Sequence, residues 1–92
     1  MQTDFIAAEE CCVHYNIELS FIQSLQDYEL IELNIIEEKT FIHTNQLHDL
    51  EKFIHLHYDL NINMEGIDAI QHLLLRMKRL QDEINYMKTH AL

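Results

Sequence analysis

At 92 residues the chain is the size of one domain, and a domain this short buries only a modest core. With 48 % hydrophobic and 24 % charged residues it is not a disordered polymer, and no apolar run approaches the roughly 20 residues that span a bilayer. The net charge of −10 is concentrated in the front: residues 1–51 hold eleven acids against Lys39 alone, while residues 52–92 hold five acids and five bases. Nine acids and no Lys or Arg precede Lys39, a charge that repels the phosphates which DNA-binding proteins neutralise. Such a surface suits either a solvated face or a face for a basic protein. The amino terminus lacks a basic-then-apolar leader pattern, so the expected compartment is the cytoplasm.

One glycine, Gly66, and no proline imply helices joined by short connections. Ala8, Cys11, Cys12 and Tyr15 recur at helical spacing and predict a first helix over about residues 7–15. Asn16 tolerates the left-handed conformation that ends a helix. Ile17 and Ile22 are spaced as a hydrophobic staple around a second helix starting near Glu18, whose stripe is Phe21, Ile22, Leu25 and Tyr28. Residues 5–29 thus read as a helix-turn-helix. Residues 30–36 are apolar and β-branched, Glu37-Glu38-Lys39 can turn, and Thr40 to His43 can return, so residues 30–43 predict a hairpin wing. A lone hairpin is marginal, and this one must lie against the helices.

Thr44 is the expected N-cap of a third helix over residues 45–59, with Leu47, Leu50, Ile54 and His57 or Tyr58 on one face. Asn63 is the expected cap of the last helix, with Ile62 and Ile67 as its staple. That element covers residues 63–90. Within it Ile70, Leu73, Met77, Leu80, Ile84 and Met87 alternate steps of three and four, the pattern of a coiled-coil seam, with Ala91 next. The first half is expected to pack on the domain, Leu74 widening that face. Leu80, Ile84 and Met87 are expected to meet a second copy, giving a homodimer, because an apolar stripe protruding from so small a domain calls for cover.

No catalytic, cofactor or metal centre is expected. Cys11 and Cys12 are adjacent, too few for a four-ligand zinc site, and read as small buried apolar residues. Their neighbours Glu9 and Glu10 cannot lower a thiol pKa. His48, Glu51 and His55 do not form the HExxH pattern, and His57 falls on the presumed core face. A single glycine excludes a glycine-rich phosphate loop. The second helix offers Gln23, Ser24 and Gln26 to bases but no phosphate anchor, and Glu18, Asp27 and Glu29 surround them. Arg76, Lys78, Arg79 and Lys88 read as flanks of the seam.

The order helix-turn-helix, wing, helix, long terminal helix is similar to the amino-terminal domain of MerR-type regulators. More narrowly, the chain resembles the chaperone-modulator family of CbpM proteins. The matching pieces are Glu10-x-Cys12-Val13-His14-x-Asn16-Ile17, Leu30-Ile31-Glu32, Leu50-x-x-Phe53-Ile54-x-Leu56-His57-Tyr58-Asp59-Leu60-x-Ile62, and Glu65-Gly66-Ile67-x-x-Ile70 running into Leu80-x-x-Glu83-Ile84. Asn16 replaces the glycine usual at the turn. The resemblance implies a mainly α, MerR-like winged helix-turn-helix that binds the J-domain of a DnaJ-like co-chaperone and keeps it from a DnaK-type chaperone. J-domains present a basic helical surface to that chaperone, and the acids here complement it. Asp27, Tyr28, Glu29, Glu32, Glu37 and Glu38 are the expected contacts, with core packing the alternative for Tyr28. A DNA-binding regulator and a structural dimerisation module are the other functions open to such a chain.

Overall fold

The computed structural model describes residues 4–90. A strand, β1 (Phe5–Ala7), leads into helix α1 (Ala8–Tyr15), and α2 (Leu19–Asp27) follows after a tight turn. The turn depends on Asn16, whose φ of 56° lets the Ile17 amide reach back to the Cys12 carbonyl at 3.0 Å. Ile17 and Ile22 both enter the core, as a staple requires. Glu18 caps α2 by its backbone position, and its own amide donates to the Tyr58 hydroxyl at 3.2 Å. At the other end of α2, Glu29 takes φ 60°. Its amide donates to Gln26 O at 2.8 Å and the Leu30 amide to Leu25 O at 2.9 Å, a Schellman closure.

The predicted wing is a shorter hairpin in a larger sheet. Strands β2 (Leu33–Ile36) and β3 (Lys39–His43) pair antiparallel, and β1 lies on the far side of β3 in the order β1-β3-β2. β1 pairs Phe5 with His43 and Ala7 with Phe41; three residues are too few to display alternation, so they read only as a lead-in to the helix-turn-helix. Residues 30–32 are not strand. Ile31 turns into the core, and the Gln46 side chain clamps the Glu32 backbone, accepting from its amide at 2.7 Å and donating to its carbonyl at 2.8 Å. Only Glu37 and Glu38 form the turn, with φ 51° and 65°. Two left-handed residues in a two-residue hairpin loop favour Asn-Gly, and glutamate fits poorly there.

The single helix expected over residues 45–59 is three geometries in series. Thr44–Gln46 form a 3₁₀ turn, and its cap is His43 rather than Thr44: the Asn45 amide donates to His43 Nδ1 at 3.0 Å. Helix α3 (Leu47–Ile54) then widens into a π segment, His55–Asp59. The wider turn brings His57 and Tyr58 together onto Phe21, with ring centroids 4.9 and 5.3 Å away. His57 Nδ1 bonds the Ile62 carbonyl at 2.9 Å. Phe53, absent from the predicted stripe, is fully buried.

Helix α4 (Met64–His90) has 27 residues and a length of about 40 Å. Asn63 Oδ1 accepts from the Gly66 amide at 2.8 Å, the expected cap. Glycine at position 66 makes room for Ile62: a Cβ there would lie 2.6 Å from Ile62 Cγ2 and force that side chain to shift. Ile22, Leu25, Ile42, Leu50, Phe53 and Ile67 form the fully buried centre. From His72 onward every described residue of α4 is exposed. Leu74 therefore does not widen the face toward the domain, and the seam leaves the core at Leu73, one heptad before Leu80. Ala91, the next seam position, lies outside the described residues.

Two outcomes follow for stability. Replacing Glu37→Asn and Glu38→Gly together should stabilise the protein by about 1–2 kcal/mol, because both left-handed residues are then favourable; a urea midpoint that stays put or falls contradicts the strain. Tyr15 joins α1 to α3 by donating to Glu51 Oε2 at 2.7 Å. Burial first, then this bond and the Glu51 charge, push its phenol from 10.0 up to about 12. The folded state holds that proton more tightly, so the stabilisation is complete below pH 10 and is lost as pH rises toward about 12. Tyr15→Phe should flatten the stability curve over that window; a curve parallel to wild type contradicts the assignment.

Candidate protein-interaction surface

The carboxylates expected to meet a partner are strung along the end of α2 and the wing, and the structure brings Glu29 and Glu32 together at one cleft. Asp27 closes the last turn of α2, Glu29 follows it, Glu32 precedes β2, and Glu37 and Glu38 form the hairpin tip; all five are exposed. The Gln46 clamp fixes the backbone that carries Glu32. Between the end of α2 and β2 opens a cleft of about 450 Å³ lined by Gln26, Glu29, Ile31, Glu32 and Leu33. Three of the five acids, Glu29, Glu37 and Glu38, occupy left-handed backbone positions where glycine or asparagine is easier. The chain keeps glutamate at three positions where the backbone disfavours any Cβ.

Tyr28 stands apart from this group. Its hydroxyl donates to Glu65 Oε2 at 2.9 Å, which ties the end of α2 to the start of α4. That bond, with partial burial, raises the Tyr28 phenol. The Glu65 carboxyl is lowered by a hydrogen bond from its own backbone amide and then by Tyr28. Tyr28 lines a different cleft, of about 340 Å³, with Leu30, Asp68, Gln71, His72 and Leu75, and Glu29 borders both clefts. The tyrosine is half-buried and outside the central core, so it is a strut between helices.

On the side a DNA reader uses, α2 exposes Ser20, Gln23, Gln26 and Asp27, with Ser24 half-buried. Lys39 on β3 is the first base along the chain. Lys52 bonds Gln71 Oε1 at 2.8 Å, lies 3.7 Å from Asp49 and sits over the Phe53 ring. The remaining bases lie on α4, where Lys78 pairs with Asp82 at 3.7 Å. Nothing cationic on the helix-turn-helix anchors a phosphate.

The cysteines and histidines have structural surroundings. Burial, then the neighbouring Cys12 and Glu10 charges, pushes the Cys11 thiol up; burial, then Glu9, does the same for Cys12. Neither thiol is activated. His55 bonds Asp59 at 2.8 Å, and no group of three or more His, Cys, Asp or Glu among the described residues can hold a metal ion. No helix among them is long and apolar enough to cross a membrane.

Two apolar surfaces remain. Leu80, Ile84 and Met87, the expected dimer seam, are 51 %, 43 % and 60 % exposed on the protruding part of α4. Ile35 and Ile36 of β2 are exposed on the wing. Their β-branched side chains mark them as strand residues, but no local pattern announces that this end of the hairpin outreaches the core.

A family model described as MerR HTH family regulatory protein matches residues 6–89, spanning the helix-turn-helix, the wing and nearly all of α4. No curated protein and no solved structure matches the chain. With the helix-turn-helix, the β-hairpin against it and the long terminal helix all in place, the chain belongs to the MerR helix-turn-helix family of regulatory proteins.

Proposed function

We propose that this protein is a chaperone modulator that binds the J-domain of a DnaJ-like co-chaperone through the α2–wing surface and blocks its engagement of a DnaK-type chaperone. The observation that carries this role is the run of five exposed carboxylates, Asp27, Glu29, Glu32, Glu37 and Glu38, along the end of α2 and the wing, with Glu29 and Glu32 lining one cleft, on a helix-turn-helix frame with no base before Lys39. The resemblance to the CbpM family supports it. A J-domain offers basic helical surface, and opposite potentials accelerate encounter while apolar contacts set the lifetime. Tyr28 acts here by holding the end of α2 against Glu65, and the carboxylates beside it make the contact. The protein works by occupancy, with no catalysis, cofactor or metal, in the cytoplasm where such chaperones act.

A DNA-binding regulator is the second reading, favoured by membership of the MerR family and by the exposed Ser20, Gln23 and Gln26. Affinity for a duplex rests chiefly on cations set against phosphates, and α1, α2 and β2 contain none. A purely structural dimerisation module would leave the acidic cleft without a role. The proposed modulator is itself a homodimer through Leu80, Ile84 and Met87, since an uncovered seam of this length is costly in water.

Two measurements check these points. A J-domain that stimulates the ATPase of a DnaK-type chaperone should lose its effect as this protein is added, and extra DnaK-type chaperone should restore it; full stimulation at saturating protein contradicts the role. Sedimentation should give twice the chain mass for wild type and one chain mass for Ile84→Asp with its helical signal retained; a wild-type mass of one chain contradicts the dimer.

A further inference from the structure

We propose that Ile35 is the apolar anchor of the α2–wing surface and that the overhanging face of the wing, with the cleft beside it, receives a basic helix of the partner protein; this rests on the function proposed above. Leu33 pairs with Ile42 and Ile35 with Thr40, and since residues opposite each other share a sheet face, Leu33 and Ile35 continue the face that carries Ile42 into the core. Along that face exposure rises from 0 % at Ile42, through a half-buried Leu33, to 75 % at Ile35. The core therefore ends before the apolar face does. On the opposite face Ile36 is also exposed, and β2 is an edge of the sheet.

The surroundings specify the occupant. Glu37 and Glu38 follow Ile36 at the hairpin tip, Glu32 immediately precedes the strand, and Glu29 and Glu32 line a cleft together with Ile31 and Leu33. An apolar centre within a charged rim is the usual anatomy of a protein-binding hot spot. A rim of carboxylates fits apolar side chains flanked by Lys and Arg, and an open cleft between a helix end and a strand suits a helix, about 10–12 Å across. A second copy of this chain would bring an equally acidic wing and be repelled. A nucleic acid would bring phosphates, and an uncovered isoleucine gives those nothing.

The test compares association and dissociation rates of a J-domain from a DnaJ-like co-chaperone with wild type, Ile35→Ser, Glu37→Gln/Glu38→Gln and Val13→Ser. Ile35 is mostly exposed, so Ile35→Ser should melt with wild type, while its complex should dissociate about tenfold faster at a nearly unchanged association rate. Glu37→Gln/Glu38→Gln should associate several-fold more slowly at low salt and converge on wild type at high salt. Val13→Ser, on the exposed side of α1, should behave as wild type. A bound wild type with Ile35→Ser dissociating at the same rate overturns the anchor and leaves the proposed function standing. A wild type that binds no J-domain overturns both.

Discussion

The fold depends on one meeting point, where Ile22 and Leu25 of α2, Ile42 of β3, Leu50 and Phe53 of α3, and Ile67 of α4 exclude water completely. Each such side chain contributes about 1.5–3 kcal/mol by leaving water, and among the described residues no polar or charged one is buried with them. The core is small and its limits define the surfaces. It reaches α4 only at its first turns, through Ile67 and the partly buried Met64, so the helix from His72 onward stands in solvent with its seam uncovered. It reaches the hairpin only as far as Ile42 and Leu33, so Ile35 is left over the edge. Both apolar faces that ask for a partner are by-products of a core that a chain of this length cannot extend.

Charge and backbone then give those faces a character. A winged helix-turn-helix that binds DNA places cations along the recognition helix and the wing, and here the same places hold Asp27, Glu29, Glu32, Glu37 and Glu38, with Lys39 as the one Lys or Arg. Three of them sit at positive φ, where asparagine or glycine is more stable. Elsewhere the chain does use asparagine for this purpose, at Asn16 and Asn61. Retaining glutamate at the wing tip and at the end of α2 gives up stability at the proposed contact surface, the exchange expected of a functional position.

Local chemistry was readable in the residues. Asn16 stops α1, Ile17 and Ile22 bracket the start of α2, Asn63 caps α4 through Gly66, and the expected Glu37-Glu38-Lys39 turn falls at Glu37 and Glu38 with Lys39 already in β3, because each is decided by residues a few positions apart. Features set by distant partners were not readable. β1 exists only because β3 offers it an edge, and the clamp on Glu32 comes from Gln46 fourteen residues away. The π segment forms where two rings settle on Phe21, and a 3.6-residue period cannot anticipate it, whereas Phe53, three residues after Leu50 on α3, does fit that period although the expected stripe passed over it. The acids of the candidate site were visible as composition, but the cleft that Glu29 and Glu32 share and the overhang at Ile35 are properties of packing.

The central claim, that a DNA-reader frame here faces a basic protein, is tested most directly by titrating one labelled preparation at low salt against a random-sequence duplex and against a J-domain. The J-domain should saturate with an affinity that weakens as salt is raised, and the duplex should give no saturable binding. Saturation by the duplex with no response to the J-domain contradicts it.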